Sequence, residues 1–239
     1  MNGRVADYTR IKKICKKKKL FLVEDAAQAF GVKYKKKFLG TNGDIGIFST
    51  SITKNFTSGL GGFLATNNNY LAKKIYSMRR HGFSDVQNIK NWNKYGGNFK
   101  ITDLQSAIAL IQLKNMKKKF KINIDNFKYF KEKTKNLIKY IKPVQLNTKY
   151  EIPVYNEFIV KNRNKFANFL KKNDVQTRNS SPNFERVKYL KTVKNKNGFP
   201  NSKEVEENYI YLESGPGLKK KRIDEISKII NLFYKKNGK

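Results

Sequence analysis

The run Leu20-Phe21-Leu22-Val23 leads directly into Glu24-Asp25-Ala26-Ala27-Gln28-Ala29-Phe30-Gly31, and no other stretch constrains this chain more. Four successive apolar residues leave no polar side, the pattern of a strand buried in a parallel sheet. Asp25 then stands at the strand's carboxyl end, where open α/β sheets place their ligands. Lys54 follows 29 residues later, in Ser49-Thr50-Ser51-Ile52-Thr53-Lys54-Asn55. Asp44 to Ser49 and Gly62 to Thr66 read as two further strands, so Lys54 falls on the connection between them. Glycines crowd that connection at Gly59, Gly61 and Gly62.

One carboxylate and one lysine at the end of such a sheet are what pyridoxal 5'-phosphate chemistry requires. A lysine amine holds the cofactor aldehyde as a Schiff base. An aspartate keeps the pyridinium nitrogen protonated, so the ring can draw in electrons. Neither residue type says much alone. An acidic residue after a strand often caps a helix, and lysine is abundant in this chain.

The flanking elements follow from periodicity. Asp7 to Lys19 reads as a helix with Ile11, Ile14 and Cys15 on one side. Tyr34 to Phe38 reads as a surface hairpin or loop. Tyr70 to Arg80 reads as a helix with Leu71, Ile75 and Met78 inward and Gly82 at its end. A loop rich in Gly and Asn runs from His81 to Asn98. Thr102 is a good N-cap for a helix carrying Leu104, Ala107, Ile108 and Ile111. Phe120, Ile124, Phe127 and Phe130 continue a helical face to about Ile141, with Pro143 ending it. Beyond it come a strand over Glu151 to Val160, a short helix over Arg163 to Lys172, a loop-rich stretch over 178–205, and a closing helix over Lys219 to Tyr234. Ile223, Ile226, Ile229 and Ile230 form the apolar side of that last helix.

Composition narrows the function classes. Cys15 and His81 are the only residues of their kinds, which excludes an internal disulfide and the usual zinc sites. No export signal is visible near the start, and Ile101 to Leu113 is too short to span a membrane. A cytoplasmic setting fits these features. The net charge of +34 invites a nucleic-acid reading. Only eight of the 52 basic residues are arginine, however, and lysine is spread along the whole chain. No arginine forks or aromatic stacking motifs of the kind that read bases are evident. The bias reads as compositional, and the charge could steer anionic substrates.

In order and spacing, these motifs resemble the DegT-type (DegT/StrS) sugar-nucleotide aminotransferases, a family of fold-type-I pyridoxal phosphate enzymes. The resemblance is dense to about residue 115 and looser beyond, through Tyr155 to Val160 and Leu212 to Pro216. It implies that Lys54 and Asp25 are the catalytic pair, Lys54 as the Schiff-base lysine and Asp25 as the pyridinium partner. It further implies that Gln28 contacts the ring hydroxyl and Ser49 the phosphate. Asn98, in Gly97-Asn98-Phe99-Lys100, matches an asparagine that often reaches a neighbouring subunit's cofactor. Asp103-Leu104-Gln105-Ser106-Ala107 matches the following helix. The implied fold is α/β, the C-terminal portion of a fold-type-I transferase. Its expected parts are a partial large domain over 1–118 with a mostly parallel sheet, a connecting helix over 119–142, and a small α/β domain over 143–239.

Two positions depart from the family pattern: Leu60 stands where an acidic residue is usual, and Lys100 where arginine is usual. The largest departure is at the front. Family members carry a segment before the point where this chain starts, with the phosphate-gripping helix terminus, a stacking aromatic and part of the sheet. The expectation is therefore a chain that is inactive by itself.

The implied reaction moves an amino group from an amino acid, glutamate by expectation, to a nucleotide-linked keto-sugar in surface polysaccharide or amino-sugar biosynthesis. A homodimer is the implied assembly, with no membrane partner. Lys54 argues against the family branch in which histidine replaces it and dehydration results. Two other classes stand beside this reading. One is a catalytically incompetent fragment with a role in dimerisation. The other is a basic nucleic-acid-binding protein, which salt-dependent affinity would reveal.

Overall fold

The computed structural model describes residues 1–83, 94–187, 189 and 198–237. Part of the loop expected from His81 to Asn98 and part of the loop-rich stretch expected over 178–205 lie outside those residues. The chain divides into two compact units, one of Met1–Lys119 with Asn147–Ile152, the other of Phe120–Leu146 with Pro153–Lys239.

The first unit begins with helix α1 (Tyr8–Lys18). The Asp7 side chain caps it by accepting from the Arg10 N–H, and Lys16, Lys17 and Lys18 crowd its last turn, where the helix dipole favours cations. Strand β1 (Val23–Asp25) follows, then the hairpin of β2 (Lys33–Tyr34) and β3 (Lys37–Phe38). Strands β4 (Ile45–Ser49) and β5 (Gly62–Ala65) complete a sheet of order β1-β4-β5. β1 and β4 run parallel with Asp25 opposite Ile47, and β5 runs antiparallel to β4 with Gly62 opposite Ser49.

The expected strand over Leu20 to Val23 is displaced toward its carboxyl end, and it is not buried. Leu20, Phe21 and Val23 are 58%, 75% and 54% exposed, because no described residue covers that apolar side. Only Glu24 in β1 is buried. Asp25 keeps its expected place as the last residue of the strand.

Helix α2 (Asn69–Arg79) starts at Asn68, whose side chain accepts from the Tyr70 and Leu71 N–H groups. Helix α3 (Asp103–Lys114) starts at Thr102 with a reciprocal capping box to Gln105. Both helices form as their periodicity predicts, but their apolar positions are less covered than that pattern implies. Met78 is 43% exposed, and Leu104, Ile108 and Ile111 are 81%, 47% and 57% exposed.

Helix α4 (Met116–Lys133) ends earlier than the expected Ile141. Ile141 instead belongs to strand β6 (Ile141–Pro143), where it pairs with Val160 and is fully buried. Sheet pairing and burial at Ile141 override the helical period there. Strand β7 (Asn156–Val160), helix α5 (Arg163–Lys172), strand β8 (Thr177–Asn179), helix α6 (Pro200–Asn208), strand β9 (Tyr209–Leu212) and helix α7 (Lys220–Asn237) complete the second unit. Its sheet has the order β6-β7-β9-β8, antiparallel throughout. Phe130, Phe158, Phe166, Leu170, Ile210, Ile223, Ile226 and Ile230 fill its core with no exposure. The isoleucines expected to line the closing helix thus do so.

Candidate active site

The parallel pairing of β1 and β4 brings two of the predicted residues to the same end of the sheet. Asp25 closes β1 and Ser49 closes β4. Strand alternation places Val23, Asp25, Ile47 and Ser49 on one side of the sheet and Glu24 on the other. Asp25 is exposed, and its Oδ1 accepts the Ala27 N–H at 3.0 Å. That bond is an Asx turn, which aims the carboxylate along the start of the next segment. The Ala26 N–H bonds the Ile47 carbonyl at 2.9 Å and continues the ladder past the strand's end.

Lys54 lies five residues after Ser49 in a compact turn. Its N–H bonds the Ser51 carbonyl at 3.0 Å, and Ser51 forms a bridge to Gly59 that closes the loop. Inside it, Ser58 Oγ meets Thr50 Oγ1 at 2.8 Å, and both residues are buried. The loop is therefore a formed structure. Lys54 is half-buried, and among the described residues its amine has no hydrogen bond or ion pair. A lysine so placed keeps its nitrogen available.

The loop is tied to the Asp25 segment by aromatic packing. Phe30 stacks on Phe56 with ring centroids 4.5 Å apart. Phe48 stacks on Phe63 at 4.5 Å, and Phe30 meets Phe48 and Phe63 edge-on at 6.0 Å each. The sequence reading missed these four phenylalanines as site supports. Phe30 and Phe56 directly follow the two functional motifs, and that proximity was the available signal.

Ser49 is half-buried, and its hydroxyl donates to Ser51 Oγ at 3.3 Å. Ser51 is thus a second hydroxyl at this strand end, one the sequence reading did not single out. Gln28 is half-buried, and its Oε1 accepts the Asn2 N–H at 2.7 Å, which leaves its Nε2 to donate elsewhere. Asn98 is exposed and bridges Arg80 in antiparallel fashion. Among the described residues no hydrogen bond joins it to Asp25, Lys54 or Ser49, so it is not gathered with them. The departure at Leu60 is benign for local packing. Its side chain is 70% exposed, and its carbonyl accepts from Gln105 Nε2 at 3.0 Å.

Glu24, adjacent to Asp25, is the other carboxylate of this region and is 2% exposed. It accepts the backbone N–H groups of Gly40, Asn42 and Gly43. Burial, followed by the charge of Glu24 and a hydrogen bond to it, pushes the Tyr8 hydroxyl up to about 12.

A cavity of about 860 Å3 opens beside the same sheet, against Ile47, Phe63, Leu64, Ile75, Met78 and Phe99. Its lining is mostly apolar and includes none of Asp25, Lys54 and Ser49, so the chemistry-bearing cluster marks the site and the cavity does not. No group of three or more metal-ligating side chains occurs among the described residues, and no helix there is long and apolar enough to cross a membrane.

The donor set matches the demands of pyridoxal phosphate. An amine without a partner suits its aldehyde, an exposed carboxylate suits its ring nitrogen, and paired hydroxyls suit its phosphate.

The DegT/DnrJ/EryC1/StrS aminotransferase family matches residues 1–231. The chain is similar to an uncharacterized protein of Methanocaldococcus jannaschii, with 32% identity over 98% of this chain and 64% of that protein. It is 26% identical to the GDP-perosamine synthase of Vibrio cholerae, over 97% of this chain and 64% of that one. Its fold is similar to that of a DegT DnrJ EryC1 StrS aminotransferase from Brucella abortus, with a TM-score of 0.88 and 23% identity over 98% of this chain and 62% of that structure. The chain thus spans less than two thirds of the length of these relatives.

Proposed function

We propose that this chain, which belongs to the DegT/DnrJ/EryC1/StrS aminotransferase family, supplies the lysine and aspartate of a pyridoxal phosphate site. The reaction we assign is transfer of an amino group from an amino acid, glutamate in our reading, to a keto-sugar on a nucleotide carrier. The GDP-perosamine synthase relative and the solved structure of DesI in the presence of its TDP-sugar product support that substrate class. The observation that carries the assignment is the single sheet end at which Asp25, Ser49 and the Lys54 loop meet.

When bound, pyridoxal phosphate supplies a sink for the electrons released at the donor's α-carbon. Lys54 Nζ would hold the cofactor, and once the donor amine has taken its place the freed nitrogen would take the α-proton as base and give it up again as acid. The Asp25 carboxylate favours a proton on the ring nitrogen through opposite charge. Ser49 and Ser51 donate through Oγ to the phosphate. Gln28 Nε2 donates to the ring hydroxyl, and in our reading Asn98 serves a second subunit of a homodimer.

We further infer that residues 1–239 alone turn over too slowly to detect. Two hydroxyls are a weak grip for a dianion that typically takes several backbone N–H donors. The exposed apolar side at Leu20, Phe21 and Val23 also favours association over a closed site. A catalytically inert, dimerising chain is therefore the second reading.

The test is borohydride reduction in the presence of pyridoxal phosphate, followed by peptide mapping. Label at Lys54 is the expected result. Label spread over other lysines, or absent, would remove the assignment.

A further inference from the structure

We propose that Glu24 is a positioning residue that acts through Asp25, clamping the backbone of residues 40–43 on the covered side of β1 so that Asp25 projects in a fixed direction from the opposite side. The proposal rests on the reading of Asp25 as the ring-nitrogen partner.

The clamp is built from both sides. A buried carboxylate persists only when its oxygens are satisfied. Glu24 Oε2 accepts the Gly40 N–H at 2.8 Å, and Oε1 accepts the Asn42 and Gly43 N–H groups. Besides burial, the charge of Glu24 also helps to raise the Tyr8 hydroxyl of α1. Converging N–H groups of this kind make an anion-binding concavity.

The loop in turn requires glycine. Gly40 has φ +81, and a Cβ there would stand 2.2 Å from the Phe48 ring. A Cβ on Gly43 would stand 2.4 Å from the Leu22 carbonyl oxygen. Asp44 pins the far side of the loop, its Oδ2 accepting the Leu22 N–H at 2.7 Å while its own N–H donates to the Leu22 carbonyl at 2.9 Å.

Strand β1 needs such a clamp. It has three residues and, among those described, pairs only with β4. A short strand held along one edge can roll about its axis. Because neighbouring side chains alternate across a sheet, fixing Glu24 on one side fixes where Asp25 points on the other.

Amide hydrogen exchange by NMR tests this on residues 1–239. The decisive variant is Glu24→Asp, which keeps the charge and loses one methylene of reach. Exchange at Gly40, Asn42 and Gly43 should quicken about tenfold. Exchange at the Ala27 N–H, which Asp25 Oδ1 accepts, should quicken with them. Amides of Phe158 and Ile210 in the second unit serve as the internal standard.

Glu24→Gln keeps the shape and removes the charge. It should loosen the same four amides and stands in if Glu24→Asp fails to fold. Faster exchange at Gly40, Asn42 and Gly43 with Ala27 unmoved would reduce Glu24 to a local loop support and overturn the proposal, as would no change anywhere. Borohydride labelling of the unaltered chain judges the pyridoxal phosphate reading separately. A chain without Lys54 label whose Ala27 amide still responds would keep the clamp and lose the cofactor assignment.

Discussion

Phe56 stacks on Phe30 with ring centroids 4.5 Å apart and ring planes 20° apart, and this contact joins the segment that carries Lys54 to the segment that carries Asp25. Phe56 is 7% exposed, so the pair lies within the first unit's core. The distance in sequence between amine and carboxylate is thus closed by a hydrophobic contact that neither group makes itself.

Phe56→Ala should therefore weaken the first unit and the site together. Removing a buried phenylalanine costs about 3 kcal/mol at the lower end of the usual range, which fits a cluster whose Phe63 ring is partly open to solvent. Phe56→Leu should cost about 1 kcal/mol, since it keeps most of the volume. Urea unfolding followed by tryptophan-independent far-UV dichroism gives both values. Equal stability in Phe56→Ala and the parent would show that the stack holds nothing together.

Asp25→Asn separates the chemical role from the structural one. An asparagine Oδ1 can still accept the Ala27 N–H, so the turn and the fold should persist. The charge that favours a protonated ring nitrogen is gone. In any assembly of this chain that turns over, kcat should fall by about 100-fold or more. Near-normal kcat would leave Asp25 as a cap only.

Gly40→Ala should destabilise the first unit strongly. The residue sits at φ +81 and the added methyl would enter the Phe48 ring, so both backbone strain and a steric clash oppose it. Gly59→Ala makes a useful contrast. Its φ is +92, but a Cβ there meets nothing within 4 Å, so only backbone strain remains. A thermal shift for Gly40→Ala no larger than for Gly59→Ala would argue against the packed loop.

The second unit should show an acid dependence set at Glu213. Hydrogen bonds from Arg222, at 2.7 and 3.1 Å, hold its carboxyl below the usual glutamate range, with further help from the Gln176 N–H. A depressed folded value means stability that is present above the unfolded value near ~4.3 and is lost as pH falls through the lower folded one. Glu213→Gln should be less stable than the parent at pH 7, and the gap should narrow in acid. Near-UV dichroism across pH 2 to 7 reads both curves, and a constant gap would assign Glu213 no share in the acid response.

Several parts of this fold were legible in the sequence. Apolar period and capping chemistry act over a few residues, so helices α1, α2, α3, α5 and α7 and strands β4 and β5 could be read directly. The Asp7, Asn68 and Thr102 caps follow the same local rule, although only Thr102 was recognised beforehand. The family's motifs around Lys54 and Asp25 were legible too, because they are runs of particular residue types in a particular order.

Tertiary structure decided the rest. Ile141 continues a helical period but lies in a strand, since pairing with Val160 and complete burial outweigh local preference. The Leu20 to Val23 run is as apolar as a buried strand, yet burial depends on what packs against it, and Leu20, Phe21 and Val23 are left more than half exposed. Glu24 reads as one more charge beside Asp25. Only the fold brings Gly40, Asn42 and Gly43 to it, because backbone N–H groups carry no side-chain signature and converge only when a loop closes. The sequence thus determined which groups are available for chemistry, being a matter of residue type. Where those groups point was decided by contacts between residues far apart in the chain.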